Sequence, residues 1–375
     1  MKPWNVEICD VTLRDGEQTP GVSFSCEEKV DIARTLDAIG IEVIEAGFPA
    51  VSDNEKKCVK TIANLGLDSR ICGFARAREP DILAAIDCDV DMVSIFIPTS
   101  DLHVRLKFKK SREQVLEDAL GMIDFARDHG VKVRFAAEDA SRTDVAFLKD
   151  VYNGAAEHGA LLVSFADTVG CLVPNEMRTI MTDLVSSVKL PLCAHCHNDM
   201  GCAVANTITA ADAGAFQLHT TVNGIGERSG NASLDEVLVI LRQKGGIDRY
   251  DLSYLTTLSR KVEKYSGITL PRNKPVTGEL AFSHESGIHI AAILEDPKSY
   301  EYFPPDLVGG ERHFILGKHT GRKALEHVVS SLGYDLSEVQ ICRVLDLVKV
   351  HSEQKCSITP KILQKLIRRA QKESV

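Results

Sequence analysis

Short runs of apolar and β-branched residues recur along this chain, separated by longer stretches in which apolar positions fall three and four apart. The runs at 6–9, 43–46, 71–74, 92–97, 131–135, 161–165, 190–194 and 216–220 read as strands. Stretches 25–39 and 111–129 read as amphipathic helices, each opening on a serine, Ser25 or Ser111, suited to an N-cap. Gly40, Gly130, Gly159 and Gly214 stand just before strand runs, where a glycine commonly stops the preceding helix. Eight strand–helix repeats over about 240 residues have the length and rhythm of an α/β fold of the (β/α)8 TIM-barrel type. An open, doubly wound sheet is the alternative that periodicity alone leaves standing. The barrel is expected over 1–270, because Pro271, Pro275 and Gly278 then break the pattern. A linker or lid over 271–335 and a helical piece over 336–375 should follow, with helices near 322–332, 336–349 and 359–372.

Composition narrows the function classes. The 375 residues carry a formal net charge of -9, which argues against a nucleic-acid partner. No apolar run reaches membrane-spanning length, and Met1-Lys2-Pro3-Trp4-Asn5 offers no signal-peptide core, so a cytoplasmic location and no membrane partner are expected. The 11 cysteines are scattered, which suits reduced thiols. Cys193-Ala194-His195-Cys196 has CxxC spacing but no second such pair, so it is a poor zinc knuckle and a weak redox candidate.

In a TIM barrel, chemistry gathers at the C-terminal ends of the strands. There the sequence places Asp15 and Gln18 after the first run, Glu45 in the second, and His103 after the fourth. Arg134 and Glu138 belong to the fifth, Thr168 to the sixth, His195 and His197 to the seventh, and Asn223 to Asn231 to the eighth. Alternate strand residues share a face, so His195 and His197 point together while Cys196 points away. Two imidazoles need a carboxylate to complete a divalent-metal site, and Asp15 follows strand one, which neighbours strand eight in a closed barrel. Asn231 can add a neutral oxygen, and hydrogen-bonded core histidines are the alternative. Arg14, beside Asp15, suits an oxyanion, or else a salt bridge within its loop. Arg134 interrupts an apolar run, which calls for a partner: a substrate carboxylate, or an internal pair with Glu45 or Glu138. The glycine-rich segment Asn223-Gly224-Ile225-Gly226 lets backbone approach a large ligand, although an ordinary tight turn has the same look. His284 and His289, beyond the barrel, include a possible general base.

Four motifs, Leu13-Arg14-Asp15-Gly16-Glu17-Gln18, His195-Cys196-His197-Asn198-Asp199, Asn223-Gly224-Ile225-Gly226-Glu227-Arg228 and Leu316-Gly317-Lys318-His319-Thr320-Gly321, occur in this order. Together they resemble the DRE-TIM metallolyase family, and within it the homocitrate, isopropylmalate and citramalate synthases. The resemblance implies a divalent metal (Mg2+, Mn2+ or Zn2+) held by Asp15, His195 and His197 with Asn231 nearby. It implies acetyl-CoA and a 2-oxo acid as substrates, with an acyl group becoming alkyl on transfer. Arg14, Glu138 and His289 match catalytic positions; Gln18, His103, Arg134 and Thr168 are assigned to the 2-oxo acid, and Asn223, Gly224 and Gly226 to acetyl-CoA. It also implies a homodimer in which the C-terminal region covers the partner's barrel. Ending at Val375, with Arg134 four before Glu138, the chain resembles the short homocitrate synthases, which makes 2-oxoglutarate the expected substrate. Asp15, where lysine-pathway enzymes carry Glu, and Leu316-Gly317-Lys318-His319 lean toward isopropylmalate synthase, so another 2-oxo acid, or a related C–C lyase activity, stays open.

Overall fold

The computed structural model describes residues 4–373, so the first three and last two residues of the expected segments lie outside it. Eight parallel strands close into a barrel: β1 (Glu7–Asp10), β2 (Val43–Gly47), β3 (Arg70–Arg76), β4 (Met92–Pro98), β5 (Lys132–Glu138), β6 (Leu162–Asp167), β7 (Leu192–Cys196) and β8 (Gln217–Thr220). Closure comes from β1 against β8, in register Cys9 with His219 and Asp10 with Thr220. The open-sheet alternative is thereby excluded. These strands are buried on both faces, which is why they read as nearly continuous apolar runs.

The helices start and stop where local chemistry dictates. Ser25 accepts from the Glu28 amide while the Glu28 carboxylate accepts from the Ser25 amide, a capping box that opens helix Cys26–Ile39. Gly40, at φ 94°, ends it in the left-handed region that glycine enters without strain. Ser111 and Gln114 form the same reciprocal cap on helix Arg112–Asp128. No helix among the described residues is long and apolar enough to cross a membrane.

The chain divides into two compact units, Met1–Leu270 and Pro271–Val375. The second unit contains helices Gly287–Glu295, Arg322–Ser331, Glu338–Glu353 and Pro360–Glu373, and a parallel pairing of His313 with Ser283. Its core joins Leu325 and Val329 to Val344, Val348, Leu363 and Ile367, so the 335/336 boundary expected from sequence runs through a single packed cluster. Helix Gly287–Glu295, which carries His289, was not expected from the pattern.

Candidate active site

The loop after β1 is wound tightly, with the amides of Arg14, Asp15 and Gly16 all donating to the carbonyl of Val11. That turn points the buried Asp15 carboxylate toward β7. Asp15 Oδ2 lies 3.6 Å from His195 Nε2 and 4.0 Å from His197 Nε2, and the two imidazole nitrogens are 3.2 Å apart. Ligand atoms around one ion at bonds of about 2.1 Å stand about 3–3.5 Å apart, so small side-chain adjustments would satisfy all three. Burial alone would raise the Asp15 carboxyl, but Arg14 and the two histidines hold it well below the usual carboxylate range. Burial pushes the His197 imidazole down to about 4, which keeps it neutral and its lone pair available.

Asn231 reaches this cluster because the loops after β7 and β8 are bridged. His197 pairs with Asn231, the Asn198 amide donates to the Gly230 carbonyl, and the Asn231 amide donates to Gly224. Asn231 Nδ2 donates to Asp15 Oδ1 at 2.9 Å, while its Oδ1 is buried without a hydrogen-bond partner. A lone pair stranded beside three convergent donors is what a hard or borderline cation would satisfy, so these residues fit a divalent metal. Gly226 leaves room for this cradle: a Cβ there would sit 2.1 Å from Asn231 Nδ2 and 2.8 Å from Asp15 Oδ1.

Arg14 donates to Asp15 Oδ2 at 2.6 Å and to Glu45 Oε1 at 2.5 Å, and its guanidinium lies 4.2 Å from the centre of the Phe74 ring. Arg134 adopts the internal-pair alternative. Fully buried, it pairs with Glu45 Oε2 and donates to Gln217 Oε1 at 2.8 Å and to Ser94 Oγ at 3.2 Å. One carboxylate thus serves two buried guanidiniums; burial would raise Glu45, and Arg14 with Arg134 more than reverse that.

Arg14, Asp15, Gln18, Arg134, Glu138, Thr168, His195 and His197 line one cavity of about 260 Å3. Glu138 Oε1 is held by Lys107 and by His103 Nδ1 at 3.1 Å, whereas Oε2 is buried without a partner. His103 therefore stands behind Glu138 and is not part of the cavity wall. Thr168 Oγ1 accepts from the Asp139 amide at 2.8 Å, which leaves its hydroxyl proton to donate elsewhere. Arg228 fastens the loops around it, donating to the Thr168 carbonyl at 2.7 Å and to both oxygens of Asp199.

Two expected assignments find other surroundings. Asn223 faces helix Leu255–Ser266, donating to the Ser259 carbonyl at 2.9 Å, and neither it, Gly224 nor Gly226 lines the cavity. The loop folds around Asn231 instead. His289 belongs to the second unit, its ring stacked 3.9 Å from that of Tyr300. Cys193 and Cys196 are buried free thiols, and burial raises both. Sequence reasoning passed over His219, Ser94, Ser164 and Lys107, all on the cavity wall. The polar alternation Gln217, His219 within β8 was a signal for the first.

The description HMGL-like matches residues 5–262, and Homocitrate synthase post-HMGL domain-like matches 276–356. This chain belongs to the HMGL-like family. Among HMGL-like relatives, the homocitrate synthase AksA of Methanosarcina mazei is 54% identical over 374 residues, covering 99% of this chain and 92% of that protein. A probable 2-isopropylmalate synthase of Methanopyrus kandleri is 49% identical over 348 residues, covering 92% of this chain and 70% of that protein. The HMG-CoA lyase structure from Bacillus subtilis superposes with a TM-score of 0.65 at 20% identity, over 72% of this chain and 97% of that one. That last likeness bears on the fold alone.

Proposed function

We propose that the chain is a homocitrate synthase, joining the acetyl group of acetyl-CoA to 2-oxoglutarate and then hydrolysing the thioester. The observation that carries this is the convergence of Asp15, His195 and His197 in one cavity with Arg14, Thr168 and the unpartnered Glu138 oxygen, in a chain so similar to a named homocitrate synthase. Asp15, His195, His197 and Asn231 Oδ1 would hold a divalent cation, which when bound supplies Lewis-acid polarisation of the keto group. Thr168 offers its hydroxyl proton to the adjacent carboxylate. Glu138, oriented by Lys107 and His103, stands ready to handle the proton of the acetyl methyl, with His289 as the proposed partner base. The methyl carbon, once deprotonated, bonds to the keto carbon, and Arg14 steadies the negative charge that moves onto the former keto oxygen. Arg134 lends positive potential to the cavity wall for the far carboxylate of the substrate. An adjoining cavity of about 390 Å3 shares Phe96, Lys107 and Glu138 with the first and is rimmed by Arg76, Arg78 and Lys110, cations suited to the phosphates of coenzyme A. The C-terminal unit is proposed to cover the barrel of a partner in a homodimer.

A second reading, an isopropylmalate-type synthase, draws support from the parallel stack of Phe74 on Phe96 at 4.6 Å in the cavity wall, which would suit an apolar tail. Thiol release from acetyl-CoA across 2-oxoglutarate, pyruvate, 2-oxoisovalerate and oxaloacetate, with product masses, decides between them. The highest kcat/KM with 2-oxoglutarate supports the first reading; preference for 2-oxoisovalerate would replace it with the second, and release with none would refute both.

A further inference from the structure

A lysine ammonium inside a protein needs its three protons and its charge accounted for. Lys29, on helix Cys26–Ile39, is 1% exposed, so it is far from the usual solvated lysine. Its Nζ donates to the Leu13 carbonyl at 3.2 Å, lies 2.6 Å from Glu17 Oε2, and donates to Glu55 at 2.8 and 2.7 Å. Leu13 and Glu17 stand on either side of Arg14 and Asp15 in the loop after β1. The ammonium therefore grips that loop at both ends from behind, while the front carries the oxyanion and metal groups.

The third partner extends the grip to the next loop. Glu55 Oε1 accepts from the Phe48 amide at 3.2 Å, directly after β2. Gly47 makes room for it, since a Cβ there would lie 1.9 Å from Glu55 Oε1. Glu17 Oε1 in turn accepts from the Phe24 amide, closing the far end of the first loop. The strands so joined, β1 and β2, are those across which Arg14 meets Glu45. Behind the site there is thus one cation between two carboxylates, and at its front one carboxylate between two cations.

We infer that Lys29 is a positioning residue for the metal and oxyanion groups, holding the Leu13–Glu17 loop so that Asp15 meets His195 and His197 and Arg14 meets Glu45. This rests on the reading of Asp15 as a metal ligand. Lys29 touches no substrate, so its effect must pass through Asp15 and Arg14. Deleting the ammonium removes its bonds to both ends of the loop at once, and a shift of about 1 Å at a reacting group is enough to lower turnover about 100-fold.

The test measures Mn2+ affinity by calorimetry on metal-stripped protein, together with kcat and KM. Lys29→Met alone strands two acids and could fail to fold. The triple variant Lys29→Met/Glu17→Gln/Glu55→Gln removes that charge defect while leaving the loop without its bonds to residue 29. The expected result is that the triple variant folds, binds Mn2+ at least tenfold more weakly, and loses kcat with little change in KM for acetyl-CoA. A folded triple variant with wild-type Mn2+ affinity and kcat would overturn the inference. Asp15→Asn separates the two layers: if it abolishes Mn2+ binding while the triple variant does not weaken it, only the positioning role falls. If Asp15→Asn binds Mn2+ normally, the metal assignment and the positioning role both fall.

Discussion

Replacing Glu45 by glutamine keeps the shape of a fully buried side chain and removes the charge that two guanidiniums share. Arg134 is 1% exposed and the Arg14 side chain 9%, so neither can turn to solvent without opening the barrel mouth. Breaking a buried pair by neutralising one partner typically costs about 3–5 kcal/mol, because the remaining charge is left uncompensated. Against a total stability of about 5–15 kcal/mol that is a large fraction. With a urea slope of about 3 kcal/mol per molar, the unfolding midpoint should fall by about 1–1.7 M at unchanged slope. The chain has a single tryptophan, Trp4, whose indole donates to Asp212 within the barrel unit at 2.8 Å, so its fluorescence reports the unfolding of that unit. Adding Arg134→Met removes one stranded charge and should recover most of the lost midpoint. It should not recover kcat, because Arg14 still lacks the Glu45 charge and is left with Asp15 as its carboxylate partner. A Glu45→Gln midpoint within about 0.2 M of wild type would refute the shared-carboxylate argument.

Three further outcomes follow from the same geometry. Asp10 is fully buried, and burial pushes its carboxyl up to about 7, only partly offset by bonds from Thr12 and Thr220. Its folded pKa exceeds the unfolded value near 3.9, so the associated stability is complete below about pH 4 and lost as pH rises through about 7. Asp10→Asn should thus be more stable than wild type by about 4 kcal/mol at pH 8, with the gap closing toward pH 4; urea midpoints differing by the same amount at pH 5 and pH 8 would contradict this. Gly226→Ala places a methyl against Asn231 and Asp15, at a backbone φ of 156° that strains any side chain, and should weaken Mn2+ binding at least tenfold as well as lower the urea midpoint of the metal-free protein; calorimetry showing wild-type affinity would count against the cradle. Arg78→Glu combined with Lys110→Glu should raise KM for acetyl-CoA about tenfold, with KM for 2-oxoglutarate unaltered; an equal rise for both substrates would remove the adjoining cavity as the coenzyme subsite.

Much of this architecture was legible before any coordinates. All eight strands lie where the apolar runs placed them, because parallel barrel strands are buried on both faces and cannot hide their composition. Ser25 and Ser111 cap the helices they announced, and the Asp15, His195, His197 grouping followed from strand alternation plus barrel closure. What stayed illegible depends on three-dimensional neighbours. Whether Arg134 met a substrate or Glu45 could not be read from spacing, since the two lie 89 positions apart and meet only across the barrel. The glycine loop at 223–231 looked like a ligand loop, yet Gly226 is needed for close approach to the Asn231 and Asp15 side chains, and Gly230 for close approach to the Gly224 carbonyl. Lys29 stands three, four and seven residues before Ile32, Ala33 and Leu36, so helical spacing puts it on the buried stripe, but spacing alone does not name Glu17 and Glu55 as its partners.

The account stands on a cation shared by residues from the first and seventh loops. Crystals grown with Mn2+, with diffraction recorded at its absorption edge, test this directly. The account predicts one strong anomalous peak within bonding distance of Asp15, His195 and His197, with Asn231 adjacent. A peak bound to other residues while those three side chains remain unliganded would contradict it.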